Sequence, residues 1–207
     1  MNWHPEILPL STRQNLTLLK PSAFIRNFYL AGGTGLALQI GHRFSEDLDF
    51  FTSSHFNESS LIQEVSILGE FSLEKKEDQT IIAVLNKTKL SFLGYPYPLI
   101  SPPQLFEDTP VASVADIVCM KIDAIASRGA KRDFIDVYLV ANEIMPLSEI
   151  FKKFQEKYVS VGFNLVHIKK SLVYFDDAER DPMPRMIKPV NWEKVKSFFE
   201  SEILKLA

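Results

Sequence analysis

Two aspartates, Asp47 and Asp49, stand two residues apart within an apolar segment of the chain. In a β-strand, residues two apart project from the same face, so the two carboxylates would lie side by side. Like charges at that spacing repel each other, and burying either one is costly unless a cation lies between them. Mg²⁺ binds carboxylate oxygens and commonly shares them with substrate phosphates. The spacing therefore predicts a magnesium site, and solvated aspartates on an exposed strand edge are the alternative.

A glycine turn, Gly32-Gly33-Thr34, precedes the aspartates and follows a short apolar run. Glycines let backbone N–H groups approach an anion closely, and the N-terminus of a helix favours phosphate. Arg43 and Ser45 lie between this turn and the aspartates. Arg43 has two open interpretations, a phosphate contact or an ion pair with an aspartate. A phosphate site beside a metal site is typical of phosphoryl or nucleotidyl transfer.

The glycine turn and the aspartates together also carry a resemblance. The combined string is Tyr29-Leu-Ala-Gly-Gly-Thr34, continued by His42-Arg43-x-Ser45-x-Asp47-Leu-Asp49-Phe50. Its glycine and aspartate parts resemble the signature of the DNA polymerase β-type nucleotidyltransferase superfamily. The full string is similar to that of the AbiEii/AbiGii family, the nucleotidyltransferase toxins of type IV toxin–antitoxin systems and of abortive infection in phage defence.

The resemblance implies an enzyme that moves a nucleoside monophosphate from an NTP to an acceptor and releases pyrophosphate, with Mg²⁺ as its cofactor. It further implies a toxin with a cognate antitoxin and an RNA acceptor, tRNA being one candidate. The net charge of -3 gives no global attraction for nucleic acid. A non-catalytic nucleotide-binding module and an enzyme that modifies a small molecule or a protein stay open as alternatives. The nucleotide-binding residues predicted are Gly32, Gly33, Thr34, Arg43, Ser45 and Lys121, and the metal ligands are Asp47 and Asp49.

Lys121 lies within the apolar stripe of a helix predicted over residues 113–127. A lysine on such a face either extends to its edge or finds a partner. The resemblance extends to Lys121 and to a later Arg-Asp-x-x-Asp block that contains Asp133 and Asp136, and it implies that all three are catalytic. Lys121 would then reach the nucleotide phosphates. Asp136 is the candidate for a general base or an extra acidic ligand, while Asp133 also suits the first turn of a helix.

Ser91 is the position where the chain departs from the superfamily pattern. The resemblance implies a third carboxylate on a later central strand, and the matching residue here is Ser91. A serine hydroxyl is a poor metal ligand beside a carboxylate, so a two-metal arrangement is in question. The chain would use one metal, recruit another acid, or lack activity.

Composition and length describe an ordinary globular chain. Its 207 residues suit one compact unit or two small subdomains, and 46% are apolar. No apolar run approaches the roughly 20 residues of a membrane helix. Cys119 is the single cysteine, so no intramolecular disulfide can form, and we expect it to be buried. The first residues lack the basic and apolar regions of a secretory signal, so we expect a cytoplasmic protein without a membrane partner.

We predict an α+β fold with a nucleotidyltransferase-type mixed sheet and flanking helices, followed by a helical C-terminal subdomain. The predicted domains are residues 1–110 and 111–207, with the boundary after a proline-rich segment. Residues 24–31 lead into the first strand, and further strands are predicted at 46–51, 71–75, 80–85 and 88–93. Helices are predicted at 11–20, 34–40, 57–68, 113–127, 131–143, 147–157, 165–175 and 192–206.

Five lysines of the second half outnumber the nearby acids. They are Lys152, Lys153, Lys157, Lys169 and Lys170. A solvated helix face is the favoured interpretation of this group, and a local surface for nucleic acid is the alternative.

Overall fold

A computed structural model describes residues 2–206 of the chain. Residues 1 and 207, the outer ends of the two predicted domains, lie outside the described residues. The chain divides into two compact units, of which the first ends at Ser113 and the second begins at Val114. The predicted α+β fold is confirmed, with a seven-stranded mixed sheet in the first unit and helices in the second. Between residues 2 and 206, no helix combines the length and apolarity needed to cross a membrane.

The first unit contains three α-helices, seven strands and two short 3₁₀ turns at Pro5–Ile7 and Ala23–Asn27 within its described residues. Its helices are α1 (Leu10–Leu19), α2 (Gly32–Ile40) and α3 (Glu58–Ser66). Its strands are β1 (Tyr29–Leu30), β2 (Leu48–Thr52), β3 (Phe71–Glu77), β4 (Thr80–Leu85), β5 (Thr88–Gly94), β6 (Gln104–Phe106) and β7 (Thr109–Val111).

The sheet places β2 near its centre, in the order β3-β4-β5-β2-β1-β7-β6. Strand β2 is parallel to β5, where Asp49 stands opposite Ser91, and antiparallel to β1. Because side chains alternate along a strand, Leu48 and Phe50 enter the core while Asp49 lies on the other face and is half-buried. The core side also receives Leu61 from α3. Hydrophobic burial thus fixes the register that presents Asp49.

Strands β4 and β5 were predicted, and the structure confirms them and pairs them as an antiparallel hairpin. Asn86 and Lys87 form the two-residue turn, with φ of 46° and 68°. Positive φ at both central residues is the geometry that two-residue hairpins favour. The Asn86 side chain also donates to Asn15 of α1, 2.9 Å away. The hairpin that carries Ser91 is therefore anchored to the first helix.

The strand predicted at 46–51 begins two residues later, at Leu48. The carbonyl of Glu46 accepts a hydrogen bond from Thr12 Oγ1 at 2.9 Å, and the carbonyl of Asp47 accepts one from the Thr34 hydroxyl. These carbonyls bond to side chains, so the regular ladder starts after them. Asp47 therefore precedes the strand on which it was expected to share a face with Asp49.

A second hairpin, β6–β7, was missed because prolines interrupt the segment. Pro110 lies inside β7 itself, and proline argues against a strand. The turn is formed by Glu107 and Asp108, both with positive φ. Glu107 receives hydrogen bonds from Lys20 at 2.6 Å and from Arg13 at 3.1 Å, which tie the turn to α1. Side-chain bonds to a distant helix thus hold a short hairpin that local propensity does not predict.

The second unit consists of helices. They are α4 (Val114–Arg128), α5 (Lys131–Glu143), α6 (Leu147–Lys157), α7 (Leu165–Ser171), α8 (Asp176–Arg180) and α9 (Trp192–Ile203). The limits predicted for α5 and α6 are confirmed. The helix predicted at 165–175 is wrong in its second half, because α7 ends at Ser171 and α8 follows. Phe134 of α5 packs against Phe199 of α9, with ring centroids 5.4 Å apart.

Lys157 does not belong to a solvated basic face. Its side chain is fully buried at the end of α6, and its Nζ lies 2.8 Å from Asp116 Oδ1 of α4, which is also fully buried. The interpretation of Lys157 as part of a solvated lysine cluster is therefore wrong. A long-range partner, 41 residues away in sequence, allows a charged side chain to sit inside a helical core.

Candidate functional site

The glycine turn forms the first turn of α2. Gly32 opens the helix with φ of 60°, and the Gly35 N–H donates to the Ala31 carbonyl at 2.9 Å. The amides of Gly32, Gly33 and Thr34 precede that first helical bond, and the N-cap residue Ala31 offers no side chain to cap them. Backbone N–H groups at a helix N-terminus attract anions through their partial positive charge. The turn therefore has the geometry of a phosphate site.

Gly32 lies directly against the carboxylate of Asp49. A Cβ atom on Gly32 would stand 2.6 Å from Asp49 Oδ2, closer than any side chain tolerates without movement. The backbone explains the proximity, because the Ala31 N–H donates to the Asp49 carbonyl at 3.0 Å. The structure thus brings the predicted phosphate turn and one predicted metal ligand into contact.

Arg43 and Ser45 complete the surroundings of the turn. The Arg43 guanidinium lies against Gly33, where a Cβ atom would meet its Nη2 atom, and Ser45 Oγ lies 3.3 Å from the same position. The Thr34 hydroxyl donates to the Asp47 carbonyl and is hydrogen-bonded to the Ser45 hydroxyl, 2.8 Å away. Arg43 is 5% exposed. A buried positive charge next to the helix N-terminus adds to its attraction for an anion.

Asp49 is the predicted metal ligand whose carboxylate the structure places against the glycine turn. Asp49 stands beside Ser91, and β5 contains no acidic residue, as its sequence had indicated. Among residues 2–206, no group of three or more His, Cys, Asp or Glu side chains is arranged to hold a metal ion. The Asp49 carboxylate lies next to the glycine turn, and Mg²⁺ takes only one or two protein carboxylates when phosphate oxygens supply the rest.

The second unit gathers Lys121, Asp133 and Asp136. Lys121 Nζ lies 2.6 Å from Asp133 Oδ1 and 2.8 Å from Asp136 Oδ2, and all three side chains are buried. Arg128 also pairs with Asp133, with Nη2 and Oδ2 2.8 Å apart. Asp133 and Asp136 share one face of α5 because they are three residues apart. The predicted lysine and the predicted acids thus contact one another.

The ion pairs of Lys121 and Arg128 join two cations to two acids. Lys121 and Arg128 supply two positive charges, and Asp133 and Asp136 supply two negative ones. Buried charges are tolerated when they are paired in this way, and removing one partner strands the other. The network therefore stabilises the packing of α4 against α5.

Asp181 caps the N-terminus of α5, a role that the sequence did not indicate. Its Oδ2 accepts a hydrogen bond from the Lys131 backbone N–H at 3.0 Å, at the first residue of α5. The Lys131 ammonium donates in turn to the Asp181 carbonyl at 2.5 Å. A carboxylate at a helix N-terminus is favourable. The cap comes from a residue 50 positions away, so no local pattern could have revealed it.

Cys119 takes no part in either cluster, as expected. It is fully buried in α4, and burial raises the pKa of its thiol to about 12. The thiolate is the reactive form of cysteine, so a thiol with that pKa is inert at neutral pH.

Sequence comparison identifies the family. The sequence profile of the nucleotidyl transferase AbiEii toxin of type IV toxin–antitoxin systems matches residues 17–205. The chain belongs to this nucleotidyltransferase toxin family. It is also 38% identical, over 196 residues, to an uncharacterized protein of Aquifex aeolicus (strain VF5), a match that covers 92% of this chain and 93% of the other.

Solved structures share the fold at low sequence identity. The nucleotidyltransferase toxin MenT4 from Mycobacterium tuberculosis H37Rv is similar with a TM-score of 0.61 and 17% identity, over 96% of this chain and 84% of that one. JHP933 from Helicobacter pylori is similar with a TM-score of 0.51 and 16% identity, over 98% of this chain and 95% of that one. These similarities establish a nucleotidyltransferase fold.

Proposed function

We propose that this toxin-family protein transfers a nucleoside monophosphate from an NTP to an acceptor hydroxyl at the glycine turn and Asp49. The acceptor oxygen bonds to the α-phosphorus while the bond from that phosphorus to the bridging oxygen breaks, and pyrophosphate leaves. The observation that carries the proposal is the contact of Gly32 with the Asp49 carboxylate, in a member of a nucleotidyltransferase family. This contact supports the proposal because it places the proposed phosphate-binding turn beside an acid.

The residues of the first unit supply binding and orientation. The amides of Gly33 and Thr34 would receive the phosphate oxygens, and Arg43 would offset their charge. Asp47 and Asp49 would hold Mg²⁺, which when bound offsets negative charge that develops on the phosphates. Catalysis of this kind depends mainly on position and charge, so rigid support of these residues matters.

The catalytic roles of Lys121, Asp133 and Asp136 stay predictions. The family resemblance assigns the lysine to the nucleotide phosphates, and Asp136 is the candidate for a general base or for an extra acidic ligand. Their ion pairs in the second unit favour a structural contribution as well. Separate measurements of stability and of nucleotide affinity are needed to divide these two contributions.

The proposed biological role is that of a toxin restrained by a cognate antitoxin and acting on RNA in the cytoplasm, with tRNA as the first candidate acceptor. Family membership supports the toxin role. The single cysteine suits a reducing compartment. Since the net charge is -3, attraction to RNA would depend on local basic groups.

Labelled nucleotides test the transfer. The full-length protein is incubated with each of the four α-labelled NTPs, Mg²⁺ and, in parallel, tRNA, other RNA, or a protein extract. We expect label on RNA, and we expect Asp49→Asn to lower the rate by about 100-fold or more, the usual scale for losing one electrostatic contact to a transition state. Asp78→Asn, in an exposed turn of the same unit, is the matched control and should keep the wild-type rate.

A non-catalytic nucleotide-binding module is the second candidate, because Ser91 stands beside Asp49 where a third acid would complete the site. In that case the protein binds NTPs but labels no acceptor, and Asp49→Asn changes only the affinity. If the label appears on the protein extract instead of RNA, the transfer reaction is supported but the acceptor is not RNA. Equal labelling by wild type and Asp49→Asn would contradict the site itself.

A further inference from the structure

A cavity of about 270 Å³ lies on the other side of β2 from Asp49. Its floor consists of Phe28, Thr52 and Leu61, all buried, and Phe24 and Phe56 form walls. The polar residues at its rim are Asn27, Ser54, His55, Asn57, Ser60 and Glu64. An apolar floor with a polar rim is the usual construction of a small-molecule site.

The aromatic part of this cavity is already assembled. Phe28 packs edge-on against Phe56, with ring centroids 5.2 Å apart, and against Phe92 at 5.4 Å. The backbone of Phe56 is held by Gln79, which accepts from its N–H and donates to its carbonyl, both at 3.0 Å. A ligand would therefore meet walls that need little ordering, which favours binding.

The rim selects against phosphate. Glu64 is the one carboxylate among the described residues that line the cavity, and neither lysine nor arginine is among them. A phosphorylated ligand would meet the negative charge of Glu64, whereas a neutral ring would not be repelled by it. The Asn27 amide offers both donors and an acceptor, and the Asn57 amide, whose oxygen already accepts from the Ser60 N–H at 2.9 Å, adds donors; together they match a ring with a mixed hydrogen-bonding edge.

We propose that this cavity binds an unphosphorylated nucleoside, with its base between the phenylalanine walls and its polar groups at the rim. A volume of about 270 Å³ suits one fused or single ring with its sugar and is small for a larger ligand. The site lies on the opposite face of β2 from the proposed transfer site and does not depend on that assignment.

The test measures binding of adenosine, guanosine, cytidine and uridine to the full-length protein by calorimetry. We expect at least one nucleoside to bind with a Kd of about 1 mM or tighter. Its 5′-monophosphate and indole, which lacks the mixed hydrogen-bonding edge, should each bind at least about tenfold more weakly, because one adds charge and the other loses the rim contacts.

Two variants of α3 locate the ligand. Ser60→Phe places a ring in the mouth of the cavity and should weaken nucleoside binding at least tenfold. Gln63→Phe adds the same ring at an exposed position of the same helix outside the cavity and should leave binding unchanged. Thermal unfolding of both variants verifies the fold. Glu64→Lys should shift preference towards the monophosphate, while Glu64→Gln should shift it less.

Absence of nucleoside binding, equal binding of indole, or equal effects of Ser60→Phe and Gln63→Phe would overturn the proposal. Unchanged nucleotidyl transfer by Ser60→Phe, together with lost nucleoside binding, would support it. Because Ser60→Phe leaves the glycine turn and the aspartates intact, the experiment tests nucleoside binding at the cavity separately from nucleotidyl transfer at the glycine turn.

Discussion

Two independent constraints act on residue 32. Its φ of 60° lies in the left-handed region, which glycine adopts without strain and other residues rarely do. Its Cα also faces the Asp49 carboxylate so closely that a Cβ atom would force the carboxylate to move. The φ angle bears on the stability of the fold, whereas the contact with Asp49 bears on the proposed nucleotide site. A comparison of two glycines can separate them.

Gly32→Ala should destabilise the protein by about 1–2 kcal/mol through backbone strain and should also abolish NTP binding, because the new methyl group displaces Asp49. Gly129→Ala is the matched control. Gly129 has φ of 59°, and a Cβ atom there would come no closer than 3.3 Å to its nearest neighbour, Asp177. We expect similar destabilisation with unchanged NTP binding. Calorimetric unfolding and NTP titration measure the two effects, and full NTP affinity in Gly32→Ala would contradict the proposed site.

The α4–α5 pair depends on its buried ions. Lys121 is the partner of both Asp133 and Asp136, whereas Arg128 contacts Asp133 from a half-exposed position. Lys121→Met should therefore lower the free energy of unfolding by about 3–5 kcal/mol, because it removes the buried cation that pairs with both buried carboxylates. Chemical denaturation provides the measurement.

Arg128→Met is the control for that variant, because it removes one positive charge from the same network at its exposed edge. It should lower stability by less than about 1 kcal/mol. NTP titration of both variants then reports on nucleotide binding. Lys121→Met with wild-type stability and weakened NTP binding would show that phosphate contact, and not helix packing, is the task of this lysine.

The β6–β7 hairpin should contribute to the pH dependence of stability. Hydrogen bonds from Lys20 and Arg13 hold the pKa of Glu107 below its ordinary value of 4.5 in the folded state. A carboxyl with a lowered folded pKa stabilises the protein above its unfolded pKa and loses that contribution as the pH falls through the folded pKa. Glu107→Gln should thus lower stability at neutral pH by less than about 1 kcal/mol, a difference that vanishes in acid.

Denaturation curves over a pH series measure this difference. Glu200→Gln, at an exposed position of α9, is the control for removing one negative charge elsewhere. The difference in stability between wild type and Glu107→Gln should disappear below about pH 3. If it persists there unchanged, Glu107 stabilises the hairpin through packing and not through its charge.

Local patterns predicted those elements whose hydrogen bonds are local. Helix α5 and strand β4 have the predicted limits, since periodicity and turn chemistry decide them. Elements held by distant side chains were missed or misplaced. The start of β2 depends on Thr12 and Thr34, and the β6–β7 turn depends on α1. Such bonds arise only in the folded chain.

The candidate site also contains a part that the sequence predicted and a part that it did not. The string from the glycine turn to Asp49 is contiguous enough to be predicted, and the structure gathers it in the first unit. The ion pairs of Lys121 could not be predicted, because a lysine on an apolar stripe has several possible partners. Pairing is decided by the packing of α4 on α5, which the stripe alone does not specify.

At the scale of the whole molecule, the reactivity of the buried Cys119 thiol reports on unfolding of the protein. Since burial raises the pKa of its thiol to about 12, the native protein should resist thiol reagents at mildly alkaline pH and react fully after denaturation. The added thiol of Lys152→Cys, on the exposed face of α6, is the control and should react at once. Labelling followed by mass spectrometry gives both rates. Immediate labelling of Cys119 in the native protein would contradict its burial.

The contact between Gly32 and Asp49 also has a genetic consequence. Every missense change in a glycine codon adds at least a Cβ atom, and at residue 32 that atom would displace the Asp49 carboxylate. In cells that produce this protein without the proposed antitoxin, survivors should therefore include full-length alleles altered at codon 32, and not only truncations. Sequencing such survivors would show how narrowly this codon is constrained.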